Sequence, residues 1–148
     1  MPCAPKRTRK APGVAAARRS RHFHHERRGH ARLAFQTACK VTDLAKGQLK
    51  GVNVGGTNLI VYHLDDGFYA TQSSCTHVFA PLAKGKIVDS CKVQCPFHRA
   101  RFDIRTGKVV DWASWPPGIV SVLNAVRGEK DLKTYAVRVQ GDQVQVDV

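Results

Sequence analysis

No apolar run in this chain approaches the ~20 consecutive residues that a membrane-spanning helix needs, so no membrane span is expected. Cysteine occurs five times, an odd number, at spacings that do not read as a disulfide framework. That pattern points to a reducing compartment, the cytoplasm. Aromatic residues make up only 7% of the chain, and acids number 11 against 24 Lys and Arg. A net charge of +13 would ordinarily suggest a nucleic-acid or membrane-surface partner. Its distribution argues otherwise. Residues 1–35 hold ten of the bases and one acid, Glu26, so +9 lies there and the remainder carries only +4. The basic stretch has no aromatics beyond Phe23 and Phe35 on which bases would stack, and no specific nucleic-acid partner is expected.

Residues 1–33 read as a disordered basic extension. Pro2, Pro5 and Pro12, an Ala run and clustered Arg and His give it almost nothing to bury. Arg18-Arg19 is followed by no apolar segment, which rejects a twin-arginine export signal. The Arg- and Ala-rich, acid-poor composition fits an organelle transit peptide better, although large apolar residues for an amphipathic face are few. His22, His24, His25 and His30 offer adventitious metal ligands on what reads mainly as a solvated leader.

From Ala34 to the end at Val148 the pattern is that of one β-rich domain. Phe35 to Val41 alternates with period two, and Cys39 is a small strand hydrophobe within it. Leu49 to Val54, a Gly55-Gly56 turn, the apolar run Leu59 to Tyr62, Asp65-Asp66-Gly67 and Phe68 to Ala70 predict a meander of hairpins. His63, with no matched partner, reads as structural. Gly85 to Asp89 and Lys92 to Gln94 predict a short strand pair turning through Ser90-Cys91, and Thr106-Gly107 a later turn. Asp111 to Leu132 is irregular and holds Trp112, Trp115 and Pro116-Pro117-Gly118, with one or two helical turns expected over Ile119 to Val126. Thr134 to Gln140 and Gln143 to Val148 alternate around Gly141-Asp142 as a closing hairpin.

The chemistry is concentrated in two boxes. Cys75-Thr76-His77 opens the first and Cys95-Pro96-Phe97-His98 forms the second, with residues 78–94 between them. Each box supplies one thiolate and one imidazole at a spacing that lets a tight loop aim both at one centre. Such donors suit Zn²⁺ or an iron–sulfur cluster and not Mg²⁺ or Ca²⁺. Zinc fingers also use two Cys and two His, but they commonly pair Cys with Cys and His with His. Structural zinc and an empty scaffold stay open as alternatives.

The two boxes, with the flanks Ser74-Cys75-Thr76-His77 and Cys95-Pro96-Phe97-His98-Arg99-Ala100-Arg101-Phe102-Asp103, resemble the cluster-binding loops of the Rieske [2Fe–2S] family over residues 35–148. In that family Cys ligands hold one iron and two His ligands the other. The resemblance implies an all-β Rieske domain over residues 34–148, an antiparallel β-sandwich or barrel with a two-loop cluster-binding tip at about residues 73–103. It implies Cys75 and Cys95 on the buried iron, and His77 and His98 on the outer iron, both at the surface. A proline-bearing loop, with Trp115 to Gly118 as candidate, would cover the cluster from a third side. Phe79, Pro81, Phe97 and Trp115 would form an apolar collar for a partner. Cys91 stands clear of the ligand set. The extra loop cysteines of the high-potential respiratory branch are missing between Val78 and Ala80 and between Arg99 and Arg101, which resembles the ferredoxin branch.

Rieske centres span roughly −150 to +300 mV. Arg99 and Ala100 replace the polar residues that follow the second box in high-potential members, so the low end is expected. The implied function is that of a Rieske-type ferredoxin. It would carry single electrons between a flavin-dependent reductase and a terminal oxygenase, as an electron-transfer protein with no substrate pocket. A terminal oxygenase itself would need a second iron held by two His and a carboxylate, yet no His follows Phe102. A small Rieske subunit fixed to a reductase large subunit, as in nitrite reductase, is the alternative.

Overall fold

The computed structural model describes residues 34–148; the expectations for the basic extension fall outside them. Eleven strands, one α-helix and two short 3₁₀ turns follow one another, and every strand pairing is antiparallel. The strands form three open sheets rather than a closed barrel. One contains β1 (Phe35–Lys40), β11 (Gln143–Asp147) and β10 (Val137–Gln140), in that order. The second runs β2 (Gln48–Val54), β3 (Thr57–Leu64), β4 (Gly67–Gln72) and β9 (Thr134–Tyr135). The third runs β5 (Lys86–Val88), β6 (Lys92–Gln94), β7 (Arg101–Asp103) and β8 (Val109–Asp111).

Strand β3 separates two cores. Alternate side chains of a strand point to opposite faces, and here both faces are apolar. Ile60, Tyr62 and Leu64 enter the core beneath the two box loops, with Leu82, Val93, Phe102 and Ile104. Leu59 and Val61 enter the other, with Cys39, Val144 and Val146 of the first sheet. Side chains of this size contribute about 1.5–3 kcal/mol each when fully buried. The buried Tyr62 hydroxyl is satisfied, since Tyr62 Oη and Thr71 Oγ1 lie 2.9 Å apart.

The hairpins follow the turn chemistry. Gly55 and Gly56 both adopt positive φ between β2 and β3, as a two-residue type I′ connection requires. Asp65-Asp66 link Leu64 to Gly67, and Gly141-Asp142 link Gln140 to Gln143. Asp89 and Ser90 also take positive φ in the β5–β6 turn. His63 is structural, its Nδ1 2.7 Å from Leu44 O and its ring stacked on Phe68. The final hairpin needs one correction. The predicted strand Thr134 to Gln140 breaks at Ala136, so that β9 pairs with β4 and β10 with β11. One extended segment thereby joins two sheets, which alternation alone does not reveal. Among the described residues Cys39, Cys75 and Cys95 are free thiols.

A bidentate ion pair ties the second sheet to the third. Arg105 Nε and Nη2 each lie 3.0 Å from an oxygen of Asp66, and Tyr69 Oη donates to the same carboxylate at 2.9 Å. The Arg105 hydrogen bonds hold the Asp66 carboxyl below the usual range, against partial desolvation that pushes the other way. A depressed carboxyl adds stability above its unfolded pKa of about 4 and loses it as pH falls through the folded value. Asp66→Asn should therefore cost no more than about 1 kcal/mol at pH 7, as this pair is partly exposed. The difference from wild type should shrink in urea melts run below about pH 3.

Gly107 closes the turn after β7 with φ +75°, and a Cβ there would run into Leu132 O. Left-handed backbone alone costs a non-glycine residue about 1–2 kcal/mol. Gly107→Ala should lower the thermal midpoint by more than that term implies, because Leu132 N donates to Gly107 O at 2.7 Å and must move as well. Thermal melts followed by circular dichroism check this.

Candidate metal centre

Both boxes are six-residue loops of the same design. Cys75 N donates to Ala80 O at 2.8 Å, and Cys95 N donates to Ala100 O at 2.8 Å. In each loop the fifth residue takes positive φ, Phe79 at 57° and Arg99 at 59°. That left-handed step, strained for non-glycine residues, turns the chain back on itself within one tight loop. Ala80 and Ala100 are buried where the loop closes, and a larger side chain would pry it open. The first loop joins β4 to β5 through the 3₁₀ turn Leu82–Lys84; the second joins β6 to β7.

The shared design brings the cysteines together. Cys75 and Cys95 are both fully buried, and their thiols are in hydrogen-bond contact. Backbone N–H groups of His77 and Val78 point at the Cys75 sulfur, and those of Phe97 and His98 at the Cys95 sulfur. The Cys75 S–H bond draws the Cys95 thiol down to about 6, with its backbone donors adding to that and burial opposing. The same contact, followed by burial, pushes Cys75 up. The contact thus favours thiolate, the form that binds metal, on Cys95 and opposes it on Cys75.

The imidazoles sit across from each other, with ring centroids 5.1 Å apart and planes at 76°. Nδ1 of His77 and Nδ1 of His98 are both buried with no hydrogen-bond partner. A buried nitrogen without a partner costs about 1–3 kcal/mol, and two on facing rings signal a shared acceptor of their lone pairs. Among the described residues no group of three or more His, Cys, Asp or Glu side chains converges on a point where a single ion would sit. Two thiols in contact and two unpartnered imidazole nitrogens on facing rings suit a dinuclear cluster, whereas tetrahedral zinc needs four donors converging on one ion.

His77 departs from expectation. It is fully buried rather than exposed, while His98 is half-buried. The covering element is the segment from Trp112 through the helix α1 (Ile119–Val126). Trp112 packs edge-on against His77 at 5.1 Å and against Phe102 at 6.5 Å. Asn124 Oδ1 lies 3.1 Å from His77 Nε2, and Arg127 Nη1 donates to His77 O at 2.8 Å. Burial lowers the affinity of this ring for a second proton, helped by the His98 charge and opposed by the Asn124 bond. Thr76 Oγ1 donates to Lys130 O at 2.6 Å, and Ser114 N donates to His98 O at 3.1 Å. The irregular segment thus holds both loops. Sequence reasoning placed the third side at Trp115 to Gly118, but the residues that touch His77 are Trp112, Asn124 and Arg127. No motif marked them.

Large apolar side chains remain exposed around this tip. Phe79, Phe97 and Trp115 are 70%, 53% and 48% exposed. Arg127 lies over the Phe79 ring at 5.1 Å and Arg99 over the Trp115 ring at 5.3 Å. No helix among the described residues is long and apolar enough to cross a membrane.

Comparison with known proteins agrees with this geometry. The model of the Rieske [2Fe-2S] domain matches residues 34–138. The chain is 32% identical over 115 residues to the biphenyl dioxygenase ferredoxin subunit of Pseudomonas sp., covering 78% of this chain and 93% of that one. Among solved structures, a Sphingomonas yanoikuyae B1 ferredoxin superposes with a TM-score of 0.62 at 27% identity, covering 78% of this chain and 99% of that one. A chain from the complex of reduced oxygenase and oxidized ferredoxin in carbazole 1,9a-dioxygenase gives 0.61 at 31% identity, covering 78% and 94%. With that domain model matching most of its length and a relative 32% identical over 78% of it, the chain belongs to the Rieske [2Fe–2S] domain family.

Proposed function

We propose that Cys75 and Cys95 hold one iron of a Rieske [2Fe–2S] cluster, that His77 and His98 hold the other through Nδ1, and that the loaded domain, residues 34–148, is a ferredoxin. The single observation that carries the assignment is the pair of buried, unpartnered Nδ1 atoms on facing rings, opposite two thiols in contact. When bound, the cluster supplies one-electron chemistry at a potential set by its ligands, their hydrogen bonds and solvent exposure. The chain's part is to hold thiolates, cradle their sulfurs with backbone N–H groups and limit water.

Similarity to dioxygenase ferredoxin components supports a carrier that takes electrons from a flavin-dependent reductase and gives them to a terminal oxygenase. Its port is His98. His77 is sealed under Asn124 and Trp112, whereas His98 is half-buried beside exposed Phe97 and Trp115. The cytoplasm, where Cys39, Cys75 and Cys95 stay reduced, is the compartment that suits this role. One observation favours the alternative of a subunit fixed to a reductase large subunit. Ile119, Val122 and Val126 leave an apolar stripe on α1, 65%, 68% and 81% exposed, that a permanent partner would cover.

An EPR-monitored redox titration of anaerobically purified protein tests the reading. A Rieske-type signal at the low end of the family's range is expected; iron-loaded protein with no such signal in the reduced state would overturn it. Cys75→Ser and Cys95→Ser should each abolish the signal and lower the iron content. Ala100→Val should overpack the closing point of the second loop by about 1–3 kcal/mol, seen as a reduced iron-to-protein ratio with the β-sheet circular dichroism retained.

A further inference from the structure

We propose that Asn124 is a positioning residue for His77: it fixes the imidazole as the Nε2–H tautomer, leaves Nδ1 as the lone-pair donor to the cluster, and so helps to set the cluster's potential. The inference rests on the cluster reading above.

The direction of every hydrogen bond follows from Ala113. Its carbonyl oxygen can only accept, so the Asn124 atom 3.0 Å away is the donating amide, Nδ2. The other end of the amide, Oδ1, faces His77 Nε2 at 3.1 Å and can only accept. His77 Nε2 therefore donates, and its single ring proton is on that nitrogen. The lone pair is left on Nδ1, which is buried without a partner. A flipped Asn124 amide would set its oxygen against the Ala113 oxygen and lose that bond.

The inward face of the helix carries Val120, buried, and Leu123, half-buried, and Asn124 stands beside them. Asn is a residue of modest helix propensity at an inward position, while the apolar Ile119, Val122 and Val126 face solvent. The arrangement is accounted for if the inward position must hold an acceptor for His77. An acceptor on the outer N–H of a ligating imidazole raises its basicity towards the metal. That favours the oxidised cluster. Among the described residues His98 has no counterpart to Asn124, so the two ligands of one iron differ in donor strength.

The test uses the full chain with its cluster, comparing the wild type with Asn124→Leu and Asn124→Asp at pH 8. Leu matches Asn closely in shape but cannot accept, and the potential should rise. Asp keeps the acceptor and adds negative charge, and the potential should fall. A shift that changes the reduced-to-oxidised ratio tenfold at fixed potential, ~59 mV for one electron, is the size expected, with altered EPR g-values in both variants. A merely structural role for Asn124 would not produce shifts of opposite sign. The proposal is overturned if Asn124→Leu loads its cluster and keeps the wild-type potential and g-values, or if both variants shift in the same direction. If Asn124→Leu does not load, Asn124→Asp decides: a lowered potential supports the proposal and an unchanged one overturns it. Wild-type protein without a Rieske signal would instead fail the cluster reading itself, a result told apart from the others before any variant is made.

Discussion

The structure depends on one backbone hydrogen bond made twice. Cys75 N to Ala80 O and Cys95 N to Ala100 O close loops too short to turn without a left-handed residue, and Phe79 and Arg99 supply it. Two loops of the same shape carry their first residues to the same depth. The thiols therefore meet, and the next backbone N–H groups fall around the sulfurs. Because the His is two positions after Cys in one loop and three in the other, the rings are not equivalent, and they meet at a steep angle. The loops cost backbone strain that a bare domain would have no reason to keep. The sheets beneath exist to present them: β3, apolar on both faces, gives the tip a core of its own.

Much of this was legible in the sequence because the signals were local. The Gly55-Gly56 and Gly141-Asp142 turns fix their hairpins through left-handed glycine backbone, and Asp65-Asp66 leads into Gly67, also at positive φ. The helix over Ile119–Val126 and the strand pair around Ser90 were equally visible. Alternation told less about partners. Thr134 to Gln140 has one uninterrupted pattern and yet serves two sheets, since the pattern records which face is buried and not which strand lies alongside.

The site divides in the same way. Four donors in two boxes are a local pattern, and the structure sets the two thiols in contact and the two rings across from each other. What holds them lies 11 to 54 residues away in sequence: Asn124 to Ala113 and His77, Arg127 to His77, Thr76 to Lys130. An asparagine in a short apolar helix carries no sign of what it will meet. The burial of His77 could not be read from its box either, since the two boxes look equally exposed until the segment after β8 is folded over one of them.

That asymmetry has a consequence for electron exchange. On the proposed ligand set, with His77 and His98 on one iron, an electron leaving that iron must cross whatever stands between the cluster and the partner's cofactor. At His77 this is Trp112, Asn124 and the width of a helix. At His98 it is the ring itself, with Phe97, Arg99 and Trp115 around it. Shielding one ligand and leaving the other at the rim restricts the productive approaches of a partner to one side of the tip. The guanidinium groups over Phe79 and Trp115 give that rim positive charge as well as apolar area, so a partner that brings carboxylates around its own cofactor is steered to the open ligand.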